Sequence, residues 1–156
     1  MQIRVGRPED MKAVLELIQE LAVFEKEPDA VEITVGDLIK DGFGTVPLFH
    51  TYVALVNDVL VGVALYYFRY STWKGKTIHL EDLIVTEKHR SHGVGSALYQ
   101  KIMEEAQNEG VKRVEWAVLD WNTPAIAFYN KTGAQVFDDW RVVQMNEQGL
   151  QAFLSR

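Results

Sequence analysis

Two adjacent carboxylates, Glu81 and Asp82, interrupt an apolar run in "HLEDLIVTEKHRSHGVGSALYQ", residues 79 to 100. Paired carboxylates can take a proton from an acid or bind a cation. A few residues on, Arg90-Ser91-His92-Gly93-Val94-Gly95-Ser96 carries two glycines among cations, between a strand pattern and a helix pattern. Glycine lets backbone approach a ligand closely, and the unpaired N–H groups at a helix start attract anions. From Lys88 to Met103 there is no acidic residue, although acids favour helix first turns. The turn therefore reads as a seat for an external anion such as a phosphate. It is not a P-loop, because Gly95 is followed by Ser96-Ala97 rather than Lys-Ser or Lys-Thr. Nor is it a dinucleotide fingerprint, since Leu98 stands near the place of the third glycine.

The elements that must position these residues follow from periodicity. Strict alternation along Lys76 to Val85 puts Asp82 on one face with Leu80 and Ile84, and Glu81 beside Leu83. One acid would then face apolar surroundings unless the strand bulges there, which would re-aim both. Ile3 to Gly6 reads as a short strand, and Arg7-Pro8-Glu9-Asp10 opens a helix whose apolar stripe includes Met11, Val14, Leu15 and Ile18. Thr34 caps a second, shorter helix running to about Lys40. Residues 51 to 70 split at Asn57-Asp58 into a hairpin. Gly93 to Asn108 is a helix, "VKRVEWAVL" a strand, and Asn122 or Thr123 caps a helix that Pro124 begins and Gly133 ends. "AQVFDDWRVVQM" reads as two closing strands, and residues 146 to 156 as a tail. The order βααβββαβαββ is α/β.

A chain of 156 residues with 47% apolar and 24% charged residues is expected to form one globular domain, residues 1–156. No apolar run reaches membrane-spanning length and the N-terminus lacks a signal-peptide pattern, so a cytoplasmic protein without a membrane partner is expected. Zero cysteines exclude disulfides, thiolate metal sites and a cysteine nucleophile. The net charge of -6 disfavours nucleic acid and favours cationic partners. His79-x-Glu81 has the spacing of a zinc deaminase motif, but the downstream cysteine pair is missing. The four histidines have no metal-ligand spacing, and no metal is expected.

Arg-x-x-Gly-x-Gly after a strand, followed some thirty residues later by Asn122, Pro124, Phe128 and Tyr129, resembles the GNAT superfamily of acetyl-CoA-dependent N-acetyltransferases. "LAVFEK", "DGFG", "YSTWKGKTIHLED" and "AVLDWN" are similar to the diamine acetyltransferases, most closely to their thialysine N-ε-acetyltransferase branch. These blocks spread from about residue 3 to 145.

The resemblance implies a central mixed sheet, splayed between two strands and flanked by helices. It implies acetyl-CoA as co-substrate, bound by Leu83, Ile84, Val85, Arg90, Ser91, His92, Gly93, Val94, Gly95, Ser96, Asn122 and Ala125. A lysine-like amine, with a pKa of about 10.4, is almost wholly protonated at neutral pH, so transfer needs a base. Glu81 is the expected base, direct or through water, and Tyr129 the acid that protonates the leaving thiolate. A backbone N–H near Leu83 or Ile84 is the expected oxyanion donor. Phe24, Glu25, Trp73, Glu81, Asp82, Asp120, Asp138 and Asp139 are the expected contacts to a small cationic amine.

Phe24 stands where the polyamine branch commonly has tyrosine, which leaves the amine open between thialysine or a lysine-like amino acid and di- or polyamines. Acetylation of a protein N-terminus or lysine is an alternative within enzymes. A non-catalytic acyl-CoA sensor is an alternative outside them, against which Glu81 and Tyr129 argue. By analogy with the diamine acetyltransferases a homodimer is expected, with the closing strands 134 to 146 as its contact surface.

Overall fold

The computed structural model describes residues 1–155. They fall into two compact units, one from Met1 to Ala117 and one from Val118 onward. In the first unit a five-stranded sheet has the order β1 (Gln2–Val5), β2 (His50–Val56), β3 (Val59–Ser71), β4 (Gly75–Val85), β5 (Val114–Glu115). The first four strands are antiparallel and β5 pairs with β4 in parallel, so the sheet is mixed. The β2–β3 hairpin turns at Asn57-Asp58, both at positive φ (49° and 62°), as a two-residue turn matched to strand twist requires.

Both faces of the sheet are covered. On one lie α1 (Met11–Phe24) and α2 (Val35–Phe43), burying Met11, Val14, Leu17 and Leu38 against Val53, Val63 and Ile84. On the other lies α3 (Val94–Asn108), whose Val94, Leu98, Ile102 and Ala106 pack on Ala64, Tyr66, Ile78 and Leu80. Gly62 makes this close approach possible: a Cβ there would stand 2.9 Å from the Ile84 carbonyl and 3.1 Å from Leu98 Cδ1. The helix expected from Arg7 begins as one 3₁₀ turn, Pro8–Asp10, before α1. Buried Asp10 fixes that entry by accepting from both guanidinium nitrogens of Arg4, at 2.6 and 2.8 Å, and from the Arg7 N–H at 2.7 Å. These bonds, the Arg4 one foremost, hold its carboxyl below the usual aspartate range. Thr34 caps α2 as expected, with Asp37 returning the bond in a capping box.

β5 is much shorter than the strand expected over residues 111 to 119. It pairs with β4 only at Ile78↔Val114 and His79↔Glu115, and the two strands part there.

In the second unit, α4 (Thr123–Lys131) starts on Asn122, whose side chain accepts from the Ala125 N–H. It ends at Gly133, φ 87°, as expected. Two expectations for this unit are corrected. Residues 134 to 146 form no strand, because their apolar alternation meets no partner ladder within the unit, and a strand without one leaves its backbone groups unpaired. The tail is instead a helix, α5 (Glu147–Leu154), capped by Asn146 on the Gly149 N–H at 2.9 Å.

Candidate functional site

The two acids that interrupt β4 sit on a bulge. Leu65 pairs with Asp82 and Tyr66 with Leu80, so Glu81 is an extra residue with no partner on β3. The extra residue reverses the alternation. Before it, Ile78 and Leu80 face α3; after it, Leu83 and Val85 face that side and Ile84 faces α1. Asp82 therefore shares a face with Ile84 but not with Leu80, and Glu81 projects outward, 51% exposed.

Three carboxylates meet here. The Asp82 carboxyl is pushed up to about 6, first by burial and then by the charges of Glu81 and Glu25. Burial also raises Glu25. A buried acid beside two further carboxylates is short of a cation, and an alkylammonium supplies it. Tyr67, opposite His79 on β3, is raised by burial and by its charge contact and hydrogen bond with Glu81.

The glycine turn is part of the same unit. A 3₁₀ turn, Glu87–His89, leads into Ser91 and Gly93, both at positive φ (62° and 80°). Gly93 is the N-cap of α3, and a Cβ at Gly93 would meet nothing within 4 Å. No side chain caps this helix and its first turn holds no acid. The N–H groups of Val94, Gly95 and Ser96, at the positive end of the helix dipole, thus have no side-chain cap. Arg90 is a strut as well as a charge: its Nε donates to the Val85 carbonyl (2.9 Å), Nη2 lies 3.4 Å from Glu20, and the guanidinium stands 5.3 Å from the Phe24 ring centroid. Glu20 also accepts from the Glu87 N–H at 2.8 Å. This structural part of Glu20 was invisible in sequence, where it is one more polar position on a helix. His92 Nδ1 lies 2.7 Å from the Arg90 carbonyl.

Between the bulge and the turn, residues 80 to 85 of β4 run past the end of β5. Their outer edge offers backbone groups for an extended ligand to pair with.

The structure thus brings Phe24, Glu25, Glu81, Asp82, Leu83, Ile84, Val85 and residues 90 to 96 into one region of the first unit. Trp73 lies apart, 79% exposed on the β3–β4 hairpin. Asp120, Asn122, Ala125, Tyr129, Asp138 and Asp139 belong to the second unit. There Asn122 caps α4, and the Tyr129 ring lies 5.5 Å from that of Phe128. Among the described residues no group of three or more His, Asp and Glu is arranged to hold a metal, and no helix is long and apolar enough to cross a membrane.

Residues 11–134 match the acetyltransferase (GNAT) family. A thialysine N-epsilon-acetyltransferase of Bos taurus is 41% identical over 143 residues, covering 86% of this chain and 84% of the relative. A spermidine/spermine N(1)-acetyltransferase-like protein of Homo sapiens is 35% identical over 159 residues, 96% of this chain but 23% of that longer protein. Among solved structures, an integron cassette protein from the mobile metagenome of V. cholerae superposes with a TM-score of 0.79 over 100% of this chain and 99% of its own. At 20% identity that likeness speaks for the fold. With a family match across both units and a curated relative sharing two residues in five over most of both lengths, the chain is an N-acetyltransferase and belongs to the acetyltransferase (GNAT) family.

Proposed function

We propose that residues 1–156 form one N-acetyltransferase domain that transfers acetyl from acetyl-CoA to a small primary amine by direct attack in a ternary complex. The observation that carries this reading is the bulge. It sets Glu81 outward and Asp82 inward, within electrostatic reach of Glu25, where the free edge of β4 begins.

The residues present fit acetyl-CoA. An uncapped, acid-free helix start on an open glycine suits its pyrophosphate, and the unpaired edge from Leu80 to Val85 suits its amide-bearing arm. Arg90, Ser91, His92 and the N–H groups of Gly93 to Ser96 would hold the phosphates, with Asn122 and Ala125 assigned by the family resemblance. The amine nitrogen forms its bond to the thioester carbonyl carbon, the C–S bond breaks, and the thiolate leaves. Glu81 takes the ammonium proton, directly or through water; a backbone N–H near Leu83 or Ile84 stabilises the developing oxyanion; Tyr129 gives its phenolic proton to the thiolate. Asp82 and Glu25 hold the substrate's cationic end. Phe24, Trp73, Asp120, Asp138 and Asp139 complete the amine contacts by resemblance.

Thialysine or a lysine-like amino acid is the first substrate class, supported by the curated bovine relative, and di- or polyamines are the second. A homodimer in the cytoplasm belongs to the same proposal, and sedimentation of the purified chain measures its mass. The deciding assay follows CoA release with thialysine, lysine, ornithine, putrescine, spermidine and spermine. Turnover is expected with thialysine first; equal silence across the panel would overturn the small-amine reading.

A further inference from the structure

His79 precedes Glu81 by two residues, and its Nε2 lies 3.5 Å from a Glu81 carboxylate oxygen. Its side chain is 18% exposed, and its ring packs on Tyr67, its cross-strand neighbour, with centroids 5.1 Å apart at 33°. Nδ1 is buried and has no hydrogen-bond partner among the described residues. These facts select a tautomer. Neutral imidazole carries one N–H, and placing it on Nδ1 would strand a buried donor. Placing it on Nε2 aims the proton at Glu81. Glu81 needs such a hold. It stands on a bulge with no residue opposite and is half exposed. A small rotation of that side chain shortens the 3.5 Å gap to a hydrogen bond of about 3 Å.

We infer that His79 is a positioning residue: clamped on Tyr67 and protonated at Nε2, it holds the Glu81 carboxylate in the orientation that accepts the amine's proton. The inference rests on the reading of Glu81 as the base. Fixing a base in reach of its proton raises turnover without tightening cofactor binding.

Two variants separate this role from packing. His79→Phe keeps a ring against Tyr67 and removes the donor; His79→Gln places an amide nitrogen near the position of Nε2 and restores it. In CoA-release kinetics His79→Phe is expected to lower kcat about tenfold, with KM for acetyl-CoA changed less than about twofold. His79→Gln is expected to return kcat to within about threefold of the unaltered protein. Nitrogen NMR of histidine-labelled protein at neutral pH should show the Nε2–H tautomer at His79. A Nδ1–H tautomer, an unchanged kcat in His79→Phe, or a loss that His79→Gln does not rescue would each overturn the assignment. Glu81→Gln, run alongside, tells the two readings apart. If it abolishes turnover while His79→Phe does not lower it, only the His79 inference falls; if Glu81→Gln turns over normally, the base reading falls and takes this inference with it.

Discussion

Asp82 is held at some cost to the fold. Its carboxyl is pushed up to about 6 by burial and by two acidic neighbours, well above an unfolded aspartate near 4. The folded state therefore binds this proton more tightly than the unfolded chain does. Stability from this residue is fully present below the unfolded pKa and is lost as pH rises through about 6. Asp82→Asn is accordingly expected to stabilise the protein at pH 7 by about 3 kcal/mol in urea denaturation, and to add nothing below about pH 4. The same variant should raise KM for the amine and remove the weakening of amine binding expected of the native protein as pH falls through about 6. A site residue that destabilises its fold while serving its ligand is the pattern this pair of measurements tests. Tyr129→Phe removes only a hydroxyl. Turnover should fall about a hundredfold while KM for acetyl-CoA holds, and an unchanged kcat would remove Tyr129 from the acid's role.

At the scale of elements, the bulge and the start of α3 do the positioning. One inserted residue in β4 turns the strand's inner face over, so the segment before Glu81 packs on α3 with even-numbered residues and the segment after it with odd-numbered ones. That reversal sends Asp82 and Ile84 to the face of α1, where Glu25 stands near the end of that helix. The α3 start depends on Gly93 at φ 80°, a conformation that β-branched residues rarely adopt. Gly93→Val should cost about 1–2 kcal/mol in a urea midpoint and raise KM for acetyl-CoA at least about tenfold, because the side chain fills the space before the free N–H groups. A variant that loses stability with an unaltered KM would show that the turn does not hold the cofactor.

For the whole molecule, a net charge of -6 and a cluster of three acids favour the approach of a cation. The ratio kcat/KM for a cationic amine should therefore fall about two- to fivefold between about 0.02 and 0.2 M salt, with kcat unchanged; a flat profile would exclude steering. Much of the molecule was legible beforehand. The hairpin at Asn57-Asp58, the caps at Thr34 and Asn122, and the glycine start of α3 are local chemistry, written in a few neighbouring residues and realised as read. The acid pair left two possibilities, an acid facing apolar surroundings or a bulge, and the bulge at Glu81 is the one realised. Four things were not legible. The end of β5 at Glu115 and the absence of strands over residues 134 to 146 depend on whether a partner ladder is present, which a strand's own alternation does not encode. Which face each acid takes depends on the register between β3 and β4, and with both faces of the sheet covered, apolar residues mark neither as inside. The setting of His79 lay hidden too: the sequence showed only a histidine two residues from an acid, not its packing on Tyr67 or its buried Nδ1. Sequence alone determined which residues could bind an anion, take a proton and cap α2 and α4, because these are properties of single side chains and short turns. Only the tertiary structure decided where those groups point and that Nδ1 of His79 is buried without a partner among the described residues, because burial and cross-strand register exist only between segments brought together by folding.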